Sequence, residues 1–316
     1  MLRTPLLYLS NAHWARMMVT RLGFARRTAS RFVAGEMAED AIGAVQALNA
    51  QNINATLDHL GESVNTEAEA LHAADSYVYV LEKIQENKVC SNVSIKLTQF
   101  GLDLGEELCI RNVRRVVAEA HRLANFVRID MEGSDYTDRT LTVFRALHQE
   151  FDNVGVVVQA YLYRTEADIE ALIASGARVR LCKGAYQEPP DKAFPSKADV
   201  DANYFKLAKM LLDAARQWAP ASGGGRFPPL PALATHDERL VGRLEEYIDQ
   251  IGLPREYYEF QMLYGIRRDI QERLAGKGRP VRVYVPYGTE WYPYFMRRLA
   301  ERPANLWFFI SNLVKH

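Results

Sequence analysis

The chain has 316 residues, of which 48% are hydrophobic and 25% are charged, and its formal net charge at pH 7 is zero. This balance is typical of an ordinary soluble globular protein, and a zero net charge gives no indication of nucleic acid as a partner. No run approaches the roughly 18 apolar residues that a membrane-spanning helix needs. Cys90, Cys109 and Cys182 share no close spacing, so we expect neither a disulfide framework nor a zinc motif, and a reducing compartment fits.

The N-terminal stretch, residues 1–32, is basic and partly apolar. A secretory signal peptide would carry a cleaner apolar run and a cleavage site of small residues. We interpret the stretch as an amphipathic arm in preference to a mitochondrial-type transit peptide. Its composition leaves open whether the arm packs on the rest of the protein or lies against a membrane surface.

Beyond this arm, helix-like and strand-like segments alternate. The predicted strands are short, rich in β-branched and aromatic residues, and bounded by turn residues: Ile53–Leu57, Asn92–Leu97, Phe126–Met131, Val154–Gln159, Ala177–Lys183, Pro231–Thr235, Tyr258–Leu263 and Pro280–Val285. The predicted helices are Glu39–Gln51, Glu67–Glu86, Arg111–Leu123, Thr137–Glu150, Glu166–Ala174, Asp199–Trp218, Asp237–Ile251 and Arg267–Ala275. This alternation indicates a parallel sheet, because parallel neighbours need a crossover connection.

Eight strands are the number that closes a (β/α)8 barrel of the TIM type. We therefore predict such a barrel over residues 51–316, preceded by an N-terminal helical arm over residues 1–50; an open doubly wound sheet is the alternative. The Gly- and Pro-rich stretch 222–231 lies between a predicted helix and a predicted strand. We interpret it as a flexible loop within the barrel and not as a domain boundary.

The C-terminal stretch 281–305 starts as a strand, breaks at Pro286-Tyr287-Gly288 and restarts as a helix. On that helix Tyr294, Arg297, Arg298 and Glu301 recur at i, i+3, i+4 and i+7, so they share one face. Two guanidinium groups on one face can bind a carboxylate or phosphate bidentately. A solvated face with an Arg–Glu pair is the alternative.

Active sites of (β/α)8 barrels lie at the C-terminal ends of the strands. Six predicted strands carry polar or sulfur-containing side chains there: Lys96, Asp130 with Met131, Gln159, Arg180 with Lys183 and Tyr186, Thr235 with His236, and Tyr284. A lone polar residue in a strand is usually paired structurally. Six strands that end this way favour a large polar ligand, which would satisfy many buried groups at once. Glu132, two residues after Asp130, could share a strand face with it and form an acid/base pair, but we favour the interpretation of Glu132 as a loop carboxylate.

Several familiar site motifs are absent from the sequence. Neither of the usual Gly-rich phosphate loops occurs, and H-E-x-x-H and G-x-S-x-G are also missing. His236 beside Asp237 is a weak signal for a metal ion, so we predict no metal site.

The blocks of sequence around these residues closely resemble the proline dehydrogenases. In order, they are SIKLTQFGLD (94–103), RIDME (128–132), QAYLYRT (159–165), RLCKGAY (180–186), ATHDER (234–239), EFQMLYGIR (259–267) and VRVYVPYGTEWYPYFMRRLAERPAN (281–305). The resemblance spans about residues 35–310, and the short chain is similar to the monofunctional bacterial enzymes. It implies a distorted (β/α)8 barrel whose last helix lies over the barrel mouth.

The resemblance also implies the reaction. Members of the family use FAD to oxidise L-proline to Δ1-pyrroline-5-carboxylate, the first step of proline catabolism to glutamate, by hydride transfer from proline C5 to flavin N5. It implies electron transfer to a quinone or another membrane acceptor, and a location in the bacterial cytoplasm with the option of peripheral contact with the inner membrane.

Site roles follow from the resemblance residue by residue. Asp130 and Arg180 match residues at the substrate and flavin centre. The substrate-binding residues would be Lys96, Tyr284, Tyr294, Arg297 and Arg298, with the arginines on the proline carboxylate and the tyrosines over the ring. FAD contacts would come from Met131, Gln159, Arg180, Lys183, Gly184, Ala185, Tyr186, Thr235 and His236, with Glu301 beside the flavin. Gln187 departs from the aromatic residue usual in the bifunctional relatives. An enzyme for a related amine such as hydroxyproline, and a barrel that binds a metabolite without turnover, are the less favoured alternatives.

Overall fold

The structure is a computed structural model that describes residues 29–61 and 63–301, the last three by their backbone only. Its centre is a closed barrel of parallel strands in the order β1 to β8. The strands are β1 Asn54–His59, β2 Ser91–Ile95, β3 Val127–Ile129, β4 Val154–Gln159, β5 Arg178–Cys182, β6 Pro231–Ala234, β7 Glu259–Leu263 and β8 Val281–Tyr287. The predicted barrel is confirmed, and the open doubly wound alternative is wrong.

Within residues 29–61 and 63–301, one helix precedes the barrel, and a helix follows each strand. The helices are α1 Ala38–Asn49, α2 Glu67–Glu86, α3 Glu106–Arg122, α4 Thr137–His148, α5 Thr165–Ala174, α6 Lys197–Ala214, α7 Glu238–Gln250, α8 Arg268–Gly276 and α9 Trp291–Glu301. Helix α1 packs on β1 and β8. The division of the chain at residue 50 stays a prediction. None of the helices described is long and apolar enough to cross a membrane.

Two differences from the predicted boundaries lie at β8 and α3. The predicted break at Pro286 is wrong, because β8 continues to Tyr287 and Pro286 pairs with Asp58 of β1. Pairing with β7 has already ended at Tyr284. Proline has no backbone N–H to donate, and at position 286 no such hydrogen bond to β7 is needed. Helix α3 starts at Glu106, five residues before the predicted start at Arg111.

A small apolar cluster, separate from the main core, positions the last helix. The main core lies in and around the barrel and includes the inner faces of α2 to α8. A separate cluster packs Trp291 and Phe295 of α9 against Leu60, which follows β1, and Ile266, which follows β7. Since both partners lie at the C-terminal ends of strands, α9 lies over the barrel mouth, as predicted.

The Gly-rich stretch lies at the opposite end of the barrel. The side chain of Asn92, at the start of β2, donates to the carbonyl oxygen of Arg226 at 2.9 Å. Arg282, at the start of β8, donates to the carbonyl oxygen of Gly225 at 2.7 Å. A Cβ on Gly225, whose φ is +87°, would lie 2.4 Å from the side-chain oxygen of Asn54. The stretch is therefore a fitted floor of the barrel, hereafter the floor loop (residues 222–230), and not the loose connection that its composition suggests.

Gly155 offers a test of packing inside the barrel. A Cβ there would lie 2.4 Å from the carbonyl oxygen of Arg178 and 2.6 Å from the guanidinium of Arg128. We expect Gly155→Ala to lower the free energy of unfolding, measured in urea, by about 1–3 kcal/mol through overpacking. The control is Gly242→Ala in α7, where a Cβ meets nothing within 4 Å. It should raise stability by about 0.5–1 kcal/mol, and equal effects of the two variants would contradict this description of the barrel interior.

Candidate active site

A cavity of about 500 Å³ lies at the C-terminal ends of the strands, under α9. It brings together the predicted site residues whose side chains are described: Lys96, Asp130, Met131, Gln159, Arg180, Lys183, Gly184, Ala185, Tyr186, Thr235, His236, Tyr284, Tyr294, Arg297 and Arg298. The backbone of α9 reaches Glu301, but the side chain of Glu301 lies outside the described part. Residues separated by up to 202 positions, from Lys96 to Arg298, thus line one space.

A continuous chain of polar contacts crosses the cavity wall. Lys96 Nζ donates to both carboxylate oxygens of Asp58, at 2.9 and 3.0 Å, and lies 3.3 Å from Tyr284 Oη. Tyr284 Oη donates to Asp130 at 2.8 Å. Arg180 Nη1 donates to the other oxygen of Asp130, also at 2.8 Å. We refer to these five residues as the Asp58–Arg180 chain, in which each carboxylate has a cationic partner.

Tyr284 is the neutral link of this chain. Burial, together with the nearby carboxylates of Asp130 and Asp58, holds the pKa of Tyr284 well above its usual range. The phenol therefore keeps its proton at ordinary pH. Because the phenol donates its hydrogen bond to Asp130, the Oη lone pairs face Lys96.

Asp58 was not among the predicted site residues. The predicted strand ended at Leu57, whereas β1 runs to His59 and carries Asp58, which is fully buried, to the same end of the barrel as the other polar groups. The polar pair Asp58-His59 directly after an apolar run was the available signal. Ser94 and Gln261, which contact Arg180, were missed because they lie inside strands.

On the neighbouring strands β4 and β5, two buried polar atoms of the cavity wall have no hydrogen-bond partner among the described residues. They are Oε1 of Gln159 and Nη2 of Arg180. A buried acceptor or donor left unsatisfied costs about 1–3 kcal/mol. A flat heterocycle with both acceptors and donors on its edge, such as a flavin ring, could satisfy both, so these residues fit that group.

The backbone after β5 is restricted by a close contact. Gly184 has φ +122°, and a Cβ there would lie 2.4 Å from the ring of Tyr161. Only glycine meets both conditions without strain. The loop that follows is tied down by Glu188, which accepts hydrogen bonds from Ser134 N at 2.8 Å and from Tyr161 Oη at 3.1 Å. Glu188 thus connects the loops after β3, β4 and β5.

A charged cluster holds the rim of the cavity near β5 and β6. Lys183 Nζ donates to Asp201 at 2.5 Å and to Asp237 at 2.9 Å, and Lys197 contacts both carboxylates. Burial alone would raise the pKa of Asp237, but the hydrogen bonds from Lys183 and Lys197 outweigh it and hold that pKa below its usual range. Lys183 is therefore positioned by ion pairs on the side facing α6.

His236 and Glu132 have defined local roles. His236 Nε2 accepts a hydrogen bond from Leu263 N at 2.8 Å, which assigns the ring proton to Nδ1. No group of three or more potential metal ligands occurs within the described residues. Glu132 accepts from Thr98 Oγ1 at 2.7 Å and from Thr98 N at 3.2 Å, so its interpretation as a loop carboxylate is confirmed.

The arginine face of α9 is directed into the cavity and not into solvent. Tyr294 and Arg298 are only 6% and 7% exposed. The guanidinium of Arg298 lies 5.0 Å from the centre of the Tyr294 ring, within cation–π distance. The solvated-face alternative is therefore wrong for Arg298, and the predicted pairing with Glu301 stays a prediction.

Comparisons with known proteins agree on one family. The family model described as proline dehydrogenase matches residues 41–310. Proline dehydrogenase 1 of Bacillus subtilis is 40% identical over 319 residues, which cover 100% of each chain. The proline dehydrogenase of Deinococcus radiodurans is 42% identical over 292 residues, which cover 91% of this chain and 90% of the relative.

Solved structures share the fold. The crystal structure of proline utilization A from Bdellovibrio bacteriovorus, inactivated by N-propargylglycine, matches with a TM-score of 0.78 and 26% sequence identity. The match covers 87% of this chain but only 32% of that protein, so the chain corresponds to about a third of that larger protein.

The buried Asp58–Lys96 pair offers a test of the site's construction. We expect Asp58→Asn to lower the free energy of unfolding by about 3 kcal/mol, because it leaves a largely buried ammonium group without that carboxylate. The control is Glu150→Gln, which breaks an exposed pair with Arg114 and should not change stability measurably. Urea denaturation of both variants provides the measurement, and a similar effect of the two substitutions would refute the role given to Asp58.

Proposed function

The chain belongs to the proline dehydrogenase family, and from that premise we propose that it oxidises L-proline to Δ1-pyrroline-5-carboxylate with FAD bound in the cavity under α9. The oxidation of proline in proline catabolism is the activity of the family. The observation that carries the finer proposal is that a buried arginine of α9 and four members of the Asp58–Arg180 chain, all but Asp58 itself, line one cavity.

The carboxylate of proline would bind to Arg297 and Arg298. A guanidinium group pairs bidentately with a carboxylate, and Arg298 is already oriented by stacking on Tyr294. Lys96, held by Asp58, supplies a further positive charge on the same wall. Tyr294 and Tyr284 would enclose the apolar ring of the substrate. Such fixed orientation of a small substrate can contribute several kcal/mol to catalysis.

The flavin would occupy the side of the cavity formed by β4, β5 and β6. When bound, it accepts the hydride that leaves proline C5. The residues expected to hold it are Met131, Gln159, Arg180, Lys183, Gly184, Ala185, Tyr186, Thr235, His236 and Glu301. Among them, the unpartnered buried atoms of Gln159 and Arg180 support the fit most directly.

The residues of the Asp58–Arg180 chain would act by charge and position. Arg180 provides a fixed positive charge where negative charge develops during reduction, and Asp130 keeps that charge in place. Tyr284 does not serve as the base for the substrate amine, because its phenol holds its own proton and donates it to Asp130. Asp58 is not the base either, because its carboxylate forms an ion pair with Lys96.

Electron transfer to a quinone or another membrane acceptor is also part of the proposal, as is a location in the bacterial cytoplasm with peripheral contact to the inner membrane. The basic stretch that would make this contact falls mostly within residues 1–28, outside the described part of the chain. Support for this part comes from the family alone.

An anaerobic flavin spectrum tests the proposal. The purified protein should be yellow, the released cofactor should have the mass of FAD, and addition of proline without oxygen should bleach the flavin absorbance. A colourless protein that takes up no FAD would refute the flavin site. A yellow protein that proline does not bleach would refute the substrate.

The same titration tests the carboxylate clamp through Arg298→Lys. We expect the proline concentration for half-maximal bleaching to rise at least about tenfold, because lysine cannot reproduce the bidentate fork. Flavin content should not change. The control is Arg255→Lys, at an exposed position outside the cavity. Loss of flavin with unchanged dependence on proline would mean that Arg298 binds the cofactor and not the substrate.

A further inference from the structure

Below the Asp58–Arg180 chain, three more polar side chains continue through the barrel interior toward its N-terminal end. Gln261 and Glu259 of β7 and Arg282 of β8 are 3%, 2% and 1% exposed. We name these three residues the floor column. Neither the reaction nor the substrate and cofactor contacts described above make use of Glu259 or Arg282.

The lower end of the floor column is fixed by backbone groups. Arg282 Nη1 donates to the carbonyl oxygen of Ala55 at 2.6 Å, and Nη2 donates to that of Gly225 in the floor loop at 2.7 Å. Arg282 Nε donates to the two oxygens of Glu259 at 2.9 and 3.2 Å. The position of the Glu259 carboxylate is therefore set by an arginine that is itself held by a strand and by the floor loop.

The carboxylate of Glu259 and the guanidinium of Arg180 together determine which way the amide of Gln261 points. A carboxylate is only an acceptor, so the side chain that meets it must present its NH₂ group. Gln261 Nε2 donates to Glu259, which leaves the amide oxygen of Gln261 facing the other way. That oxygen accepts the hydrogen bond from Arg180 Nε. An uncharged amide at position 259 has only one acceptor oxygen, which Arg282 Nε and Gln261 Nε2 would have to share, so the Gln261 amide would be held less firmly in this orientation.

The orientation of Gln261 in turn limits the guanidinium of Arg180. Its Nε is held by Gln261, and its Nη1 is held by Asp130 at 2.8 Å and by Ser94 at 3.1 Å. The plane of the group is thus fixed from two sides. Nη2 remains on the cavity wall without a partner among the described residues.

We propose that Glu259 and Gln261 are positioning residues for Arg180: the carboxylate at the barrel floor orients the Gln261 amide, which holds the guanidinium in the plane that the reaction uses. The value of this device for catalysis rests on the proposed function. The contact itself does not, because it joins side chains of the protein alone. The competing explanation is that Glu259 only neutralises the buried charge of Arg282.

The test combines a single substitution with an exchange of the two side chains. Glu259→Gln removes the acceptor-only group. The double variant Glu259→Gln with Gln261→Glu restores a defined arrangement of donors and acceptors. The carboxylate at position 261 then accepts from both Arg180 and the amide at position 259. If Glu259 only balances the charge of Arg282, moving the carboxylate to position 261 should restore neither the slow exchange of Arg180 nor the rate of bleaching.

The first readout is the rate of hydrogen exchange of the Arg180 Nε–H, measured by NMR on the purified protein as isolated. The signal is assigned by its loss in Arg180→Lys. We expect Glu259→Gln to speed this exchange at least tenfold and the double variant to return it to within about threefold of the parent protein. The matched control is Glu245→Gln, which also removes a largely buried carboxylate paired with an arginine, Arg273, but on helices α7 and α8 and not in the barrel interior. It should leave Arg180 exchange unchanged.

The second readout is the anaerobic bleaching rate. Glu259→Gln should lower the limiting rate at least tenfold, with the half-saturating proline concentration changed by less than about threefold, and the double variant should recover most of the rate. Gln261→Met, which keeps the Glu259–Arg282 pair, should reproduce the loss and provides the test if Glu259→Gln does not fold. Unchanged Arg180 exchange in Gln261→Met, or a double variant that folds and shows no recovery, would overturn the proposal. If proline does not bleach the flavin of the parent protein, the proposed function is wrong, but the result on Arg180 exchange remains valid.

Discussion

The ion pair between Asp130 and Arg180 is the interaction on which the rest of the site depends. Both groups are largely buried, and a buried charge without a partner would be strongly destabilising. The pair extends upward through Tyr284 and Lys96 to Asp58, and downward through Gln261 to the floor column. Because each hydrogen bond in this series has a defined donor, the orientation of one side chain limits the next. A series of polar side chains therefore runs along the barrel interior, and the apolar core lies around it.

The two ends of the barrel contribute in different ways. At the C-terminal end, α9 is attached through a small apolar cluster that is separate from the main core, and it brings Tyr294 and Arg298 over the cavity. At the N-terminal end, the floor loop closes the barrel and supplies a carbonyl oxygen to Arg282. Substrate groups would thus be held from above, by the last helix, while the charge at the centre is positioned from below by the strands.

The sequence predicted the barrel, its strand order and about two thirds of the residues that line the cavity, because parallel strands carry their C-terminal residues to one end. It did not predict Asp58, since an apolar run does not show where a strand ends. It also did not predict the floor column. Glu259, Gln261 and Arg282 alternate with apolar residues inside strands, and their partners are distant in sequence, such as Ala55 and Gly225 for Arg282. The roles of Glu301 and of residues 1–28 stay predictions.

The central claim is that the Asp58–Arg180 chain presents Arg180 to a flavin bound in the cavity. A crystal structure of the protein with its flavin bound tests this most directly. We predict that Arg180 Nη2 and Gln159 Oε1, which are buried on the cavity wall without a partner among the described residues, lie within hydrogen-bonding distance of the flavin ring, with the Arg180–Asp130 and Arg180–Gln261 contacts retained. A flavin ring located elsewhere, with these two atoms still unpartnered, would contradict the claim.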